Sequence, residues 1–213
     1  MVVVGVGVGV VVGVGVGVVV EVVMGRRPSV AAPSPWVLGI DPSLTRSAAV
    51  LIPPGWELGD WKALKSFSYG EPPPDRKRET VLDYERLRIE RMSRIAESLA
   101  AFVMRFAGGR EIRGFIEGYA YHAGGAGSHS GAEYGGILRQ WFALRHSIAL
   151  WPVSEAQARK QLLGKLPPRD RKVVTARALY AAGAPFENDD ECDAFVVAAF
   201  GLTEIGLTGF SLA

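Results

Sequence analysis

Two short apolar runs in this chain each end in a carboxylate, and that repetition constrains the fold more than any other feature. Trp36-Val37-Leu38-Gly39-Ile40 runs into Asp41-Pro42, and the stretch from Ile112 to Glu117 ends the same way. Apolar runs this short read as buried strands, and the proline after Asp41 removes a ladder donor and stops the first. A carboxylate closing an apolar strand is costly unless something pairs with it. A fold that brings two such strand ends to one place solves both problems at once.

The remaining pattern says which kind of sheet this is. Ser47 to Ile52 is a second apolar run, predicted to form a hairpin with the first through Ser43 to Arg46. Trp61 to Tyr69 reads as a third strand, with Ala63, Phe67 and Tyr69 on one face. After a proline-rich loop at Glu71 to Asp75 the period changes. Leu87, Met92, Ile95, Leu99, Phe102 and Phe106 make a stripe at three-four spacing, which predicts a long helix from Thr80 to Ala107, stopped by Gly108-Gly109. Beyond Glu117, Gly118 to Gly131 reads as a loop, Gly131 to His146 as a helix and Ile148 to Val153 as a strand. Two short helices, Ser154 to Leu163 and Arg169 to Ala182, flank a Pro167-Pro168 turn. Asn188 or Asp189 caps a last helix running through Ala199. The order β-β-β-α-β-α-β-α-α-α predicts an α/β fold, a mixed sheet with helices on its faces.

With 213 residues, 48% of them hydrophobic, the chain builds one such domain and is too short for two large ones. That domain is expected over residues 36–213. Residues 1–35 are set apart: Val2 to Val20 contains only valine and glycine. Its length alone suggests a membrane span. Its Val-Gly alternation, poor in helix propensity and preceded by no basic segment, reads instead as a low-complexity tail and linker, disordered or belonging to a start upstream of Met24. The single cysteine, Cys192, excludes an internal disulfide and a four-cysteine zinc site, and makes the cytoplasm the simplest compartment.

Two further acids complete a candidate site. Asp190 and Asp193 lie at i and i+3 in the first turn of the last helix, hence on one face. In open α/β sheets, strand ends and helix N-termini project into a common crevice. Carboxylates gathered there repel one another unless a cation joins them. Mg²⁺ suits an all-oxygen set and keeps positions open for phosphate. Two such ions about 4 Å apart activate water and stabilise a leaving oxygen. Each acid alone also has an ordinary use: Asp41-Pro42 as turn chemistry, Asp190 beside Asp189 and Glu191 as the acidic first turn that helix dipoles favour.

These residues resemble a family in order as well as in kind. Leu38-Gly39-Ile40-Asp41-Pro42-Ser43-Leu44-Thr45 is similar to the opening G-I-D-P-G motif of RuvC-like Holliday junction resolvases. Phe115-Ile116-Glu117 resembles their second acid. Lys160-Gln161-Leu162-Leu163-Gly164 with Arg171-Lys172-Val173-Val174 resembles their K-x-x-x-G…K-x-x-V segment, and Asp190-Glu191-Cys192-Asp193-Ala194 their closing D-x-x-D-A. The resemblance spans Trp36 to Leu202. It implies a ribonuclease H-like mixed five-stranded sheet flanked by helices. It implies metal-binding catalytic roles for Asp41, Glu117, Asp190 and Asp193, with two Mg²⁺ ions per site and Mn²⁺ as a substitute. It also implies a homodimer acting on four-way DNA junctions and branched DNA in recombination and repair, with no membrane association. The chain departs from the pattern at Ser43, where the family usually has glycine, and in the loop after Glu117, which carries Tyr119 and Tyr121 and lacks a wedge phenylalanine.

Net charge is only +2, so local clustering must supply any DNA affinity. From Ser154 to Tyr180 there are seven Lys or Arg against two acids. Phosphate contacts by such a patch give sequence-independent affinity, whereas a solvated helix face is the ordinary use of a charge run. Lys165 and Lys172 are the leading candidates for phosphate contact, with Arg169, Arg171 and Arg46 beside them. Tyr119 and Tyr121 either stack on bases near the cut or pack under their own loop. His122 and His129 read as solvent-facing rather than as metal ligands. Three rivals stay open: a sugar-kinase- or actin-like ATPase, which needs a second lobe; a nuclease of the same fold for flaps, forks or other branched DNA; and an inactive junction-binding module.

Overall fold

The computed structural model describes residues 34–118, 126–165 and 170–207, with the backbone alone over 126–130. All belong to one unit, Ser34–Ala213. The expected Val-Gly tail, Tyr119, Tyr121, His122, Arg169 and the side chain of His129 lie outside the described residues.

Five strands form one mixed sheet in the order β3-β2-β1-β4-β5. β1 (Trp36–Asp41), β2 (Ser47–Ile52) and β3 (Lys65–Tyr69) run as an antiparallel meander, and β4 (Ile112–Glu117) and β5 (Leu150–Val153) add in parallel on the far side of β1. α1 (Val81–Ala107) connects the meander to β4, and α2 (Ala126–His146) connects β4 to β5. α3 (Glu155–Leu163), α4 (Arg171–Ala181) and α5 (Asp189–Glu204) follow. This is the element order and the mixed five-stranded sheet read from the sequence. No helix among the described residues is long and apolar enough to cross a membrane.

Strand alternation divides the core into two faces. Leu38, Ile40, Ile116 and Leu150 pack with Met92, Ile95, Leu99 and Val103 of α1 and Tyr134, Leu138 and Phe142 of α2. Val37, Phe115 and Val153 face the other way, onto Phe195, Val196, Ala198 and Leu202 of α5 and onto α3 and α4. By the same period of two, Asp41 and Glu117 fall on the α5 side of their strands.

Glycines set how near α5 comes. A Cβ at Gly39 would stand 2.2 Å from the Ala194 carbonyl oxygen and 2.5 Å from the Ala198 nitrogen. One at Gly201 would stand 2.3 Å from the Phe115 ring. Both glycines are there for close approach, one on the sheet and one on the helix.

Several elements differ from the sequence reading; β5 begins at Leu150 rather than Ile148, and α4 spans Arg171–Ala181 rather than Arg169 to Ala182. β3 begins at Lys65 rather than Trp61, because Trp61 turns inward to an aromatic cluster. Its ring centroid is 5.9 Å from that of Trp56, 6.3 Å from Phe186 and 5.5 Å from Phe195, and its Nε1 donates to the Ala182 carbonyl at 2.6 Å. α2 begins five residues before Gly131, in a Gly/Ser stretch with no helical period. α5 runs to Glu204 instead of Ala199, since Gly201 is tolerated against Phe115. Of the two possible caps for α5, Asn188 is the one: its Oδ1 accepts from the Glu191 N–H at 3.1 Å.

Candidate metal centre

The turn that follows Asp41 is held from both helices of the opposite face. Buried Arg91 of α1 donates to the Leu44 carbonyl and, at 2.8 Å, to that of Glu71. Buried Tyr134 of α2 shares a 3.0 Å hydrogen bond with Ser47, whose hydroxyl also donates to the Ser43 carbonyl at 3.1 Å. Among the described residues, the non-glycine residues with positive φ are Ser147 and Asp170, and Ser43 is not one of them. A serine therefore fits this turn without backbone strain.

Asp41, Glu117 and Asp193 meet where β1, β4 and the first turn of α5 converge. One carboxylate oxygen from each lies within 4.8 Å of the others. Asp193 precedes Ala194, the residue seated on Gly39, so the glycine contact fixes its distance from Asp41. Asp41 and Asp193 are 5% and 3% exposed, and Glu117 is partly buried with no hydrogen-bond partner for its Oε2 among the described residues.

Without a metal Asp41 and Glu117 resist ionisation. Burial, then the charge of Asp193, pushes Asp41 up from its ordinary 3.8 to about 7. Burial, then the charge of Asp41, pushes Glu117 to about 8. The pair stands close enough to share a proton. Buried carboxylates held together against their own repulsion, one with an orphaned oxygen, form a hard-oxygen donor set that fits a divalent cation.

Asp190 is not in that group of three. It is half-buried one turn before Asp193, and burial raises its pKa while Lys172 and Arg46 draw it down. Arg46 is exposed on the hairpin turn, with its charge felt at Asp190. Lys172 comes nearer than a surface phosphate contact would: its Nζ is 2.8 Å from Asp193 Oδ2. Lys165 is exposed and, with Lys160, Arg159, Arg171, Ala156 and Gly164, lines a pocket of about 160 Å³ between α3 and the start of α4.

The residue that sequence reasoning misplaced is Arg159, counted there with the basic patch. It is 3% exposed; its Nη2 donates to Asp193 Oδ1 at 2.5 Å and its Nη1 pairs with Glu155. The i, i+4 spacing of Glu155 and Arg159 was the available signal for a committed arginine. Tyr134 and Phe142 are fully buried against the sheet. Trp141 keeps one face under the Arg145 guanidinium, 4.1 Å from the ring centroid.

No protein-family model matches the sequence, and no curated protein does. Among solved structures, the chain is similar to RuvC of Thermus thermophilus in complex with a Holliday junction substrate. That match has 15% identity over 81% of this chain and 97% of that one, with a TM-score of 0.52. A second Thermus thermophilus RuvC structure matches at 17% identity with the same coverages and TM-score. At such identities it is the path of the backbone that is shared, and the chain has the ribonuclease H-like fold of RuvC.

Proposed function

We propose that this protein is a divalent-metal-dependent endonuclease that cuts four-way DNA junctions. The observation that carries the reading is the meeting of Asp41, Glu117 and Asp193 at the convergence of β1, β4 and α5, on a RuvC-like fold. These three would hold the metal, with Asp190 completing the set at its rim. Mg²⁺, as two ions with Mn²⁺ as a substitute, would supply an activated water and a stabilised leaving oxygen for phosphodiester hydrolysis. The chain's own part is to hold the acids dry and fixed. Arg159 orients Asp193, and the Arg91 and Tyr134 contacts hold the turn beyond Asp41.

The basic pocket at Lys165 and Arg171, with Arg169 and Arg46, is the proposed phosphate track, and Tyr119 and Tyr121 are the proposed base contacts. A symmetric junction needs two such sites, so the working species is a homodimer. Residues 36–213 form the nuclease domain and residues 1–35 a dispensable tail in this reading, and a cytoplasmic setting gives access to recombining DNA.

The test is cleavage of a labelled four-way junction beside flap, fork and linear substrates, with Mg²⁺ and with Mn²⁺. Paired cuts near the crossover are expected. Asp41→Asn, Glu117→Gln and Asp193→Asn should each nearly abolish cutting while leaving junction binding measurable. Normal rates in all three would refute the site, and cutting of flaps or forks alone would refute the substrate.

A further inference from the structure

We propose that Lys172 is a built-in counter-ion for the acid cluster, one that occupies Asp193 Oδ2 and yields that oxygen to a divalent cation, while Arg159 keeps Oδ1 throughout. The inference rests on the metal-site reading above.

Asp193 has a cation on each oxygen, Arg159 at 2.5 Å on Oδ1 and Lys172 at 2.8 Å on Oδ2. The two cations differ in what it takes to remove them. Arg159 is 3% exposed and tied to Glu155 as well as to Asp193. Withdrawing its guanidinium would strand buried charge on both sides of the pair. Lys172 is 55% exposed while its partner is 3% exposed. Its ammonium reaches in from solvent on a flexible stem and can return there with no repacking.

Geometry therefore divides the labour. Arg159 holds the Asp193 carboxylate in one orientation, with Oδ2 presented to the cluster. Lys172 neutralises that oxygen in the metal-free protein, and its charge is also felt at Asp41 and Glu117. An incoming divalent cation needs the same oxygen and repels the ammonium. The displaced ammonium stays tethered at the mouth of the site, where an anionic substrate group would approach. Lys172 is thus a positioning residue before it is a ligand for anything.

The experiment uses the full chain and Ca²⁺. Ca²⁺ binding is followed by calorimetry, and the acetylation rate of each lysine by mass spectrometry, with Lys62 and Lys77 as internal references. Lys172 should be acetylated several-fold faster once Ca²⁺ is saturating, with the reference lysines unchanged. Lys172→Met should tighten Ca²⁺ binding by about tenfold by removing the competitor. Lys172→Arg should weaken it, because a guanidinium grips a carboxylate through two donors. Ca²⁺ binding with an unchanged Lys172 rate overturns this inference and leaves the metal site standing, as does a Lys172→Met protein that binds no tighter. Absence of any Ca²⁺ binding overturns both.

Discussion

Asp41→Asn should make the metal-free protein more stable in mild alkali, an unusual sign for a substitution in a candidate active site. Asp41 is buried, and its pKa lies at about 7 against an ordinary 3.8. Since the folded value is the higher one, the unfolded chain gives up its proton first. The contribution of Asp41 to the parent's stability is greatest below about pH 4, falls as pH rises, and levels off above about 7. At about 1.4 kcal/mol per factor of ten, the gap corresponds to about 4 kcal/mol at most. Asp41 and Glu117 titrate together, so relieving one of them recovers about half of that. Asparagine keeps the shape and cannot ionise. In EDTA at pH 8.5, Asp41→Asn should exceed the parent by about 2 kcal/mol, seen as a melting midpoint about 6 °C higher. At about pH 3.5, below the unfolded value, the two should nearly coincide. Saturating Ca²⁺ should reverse the order, because only the parent gains binding energy. Urea titrations across this pH range decide the matter. A parent that equals or exceeds Asp41→Asn at pH 8.5 in EDTA would refute the account of Asp41 as a carboxylate penalised, when charged, by burial and by the neighbouring acids.

Gly39→Ala should cost about 3 kcal/mol of stability, since its methyl group would stand 2.2 Å from the Ala194 carbonyl oxygen; a loss under about 1 kcal/mol in denaturant titration would contradict that packing. Lys165→Ala should weaken junction binding across all sequences and lower its salt slope by about one, whereas an unchanged slope with altered sequence preference would point to base reading. A chain starting at Met24 should fold, keep its cutting activity and sediment as a dimer at micromolar concentration. A strict monomer, free and on a junction, would make paired cutting untenable.

Much of this was legible because it follows from the two backbone periods. The alternation that buries Val37 and Phe115 on one face also carries Asp41 and Glu117 there, four and two residues further along, so strand ends alone foretold the meeting. The i, i+3 pair on α5 was legible as a shared face, but a face has height: Asp193 is one turn deeper than Asp190 and reaches the cluster that Asp190 only borders. Arg159 was opaque because counting charges does not reveal which of them is buried. Trp61 was opaque because its partners Trp56, Phe186 and Phe195 come from three separate segments, and their packing overrode a plausible strand pattern. The early start of α2 had no sequence signal, since small residues mark no face.

The outer edge of β5 has a consequence for how copies of this chain can associate. Val153 offers its carbonyl inward, to the Gly118 N–H at 2.8 Å, so the backbone of Pro152 faces away from β4. Proline has no N–H, and the middle of that open edge lacks the donor that an added strand would need. Trp151 beside it is 61% exposed, an apolar side chain that would otherwise invite pairing. The rim thus carries its own stopper against runaway strand addition and fibre growth. A second copy arriving on that side meets a missing donor at Pro152, so strand addition there is disfavoured relative to docking through side chains such as Trp151.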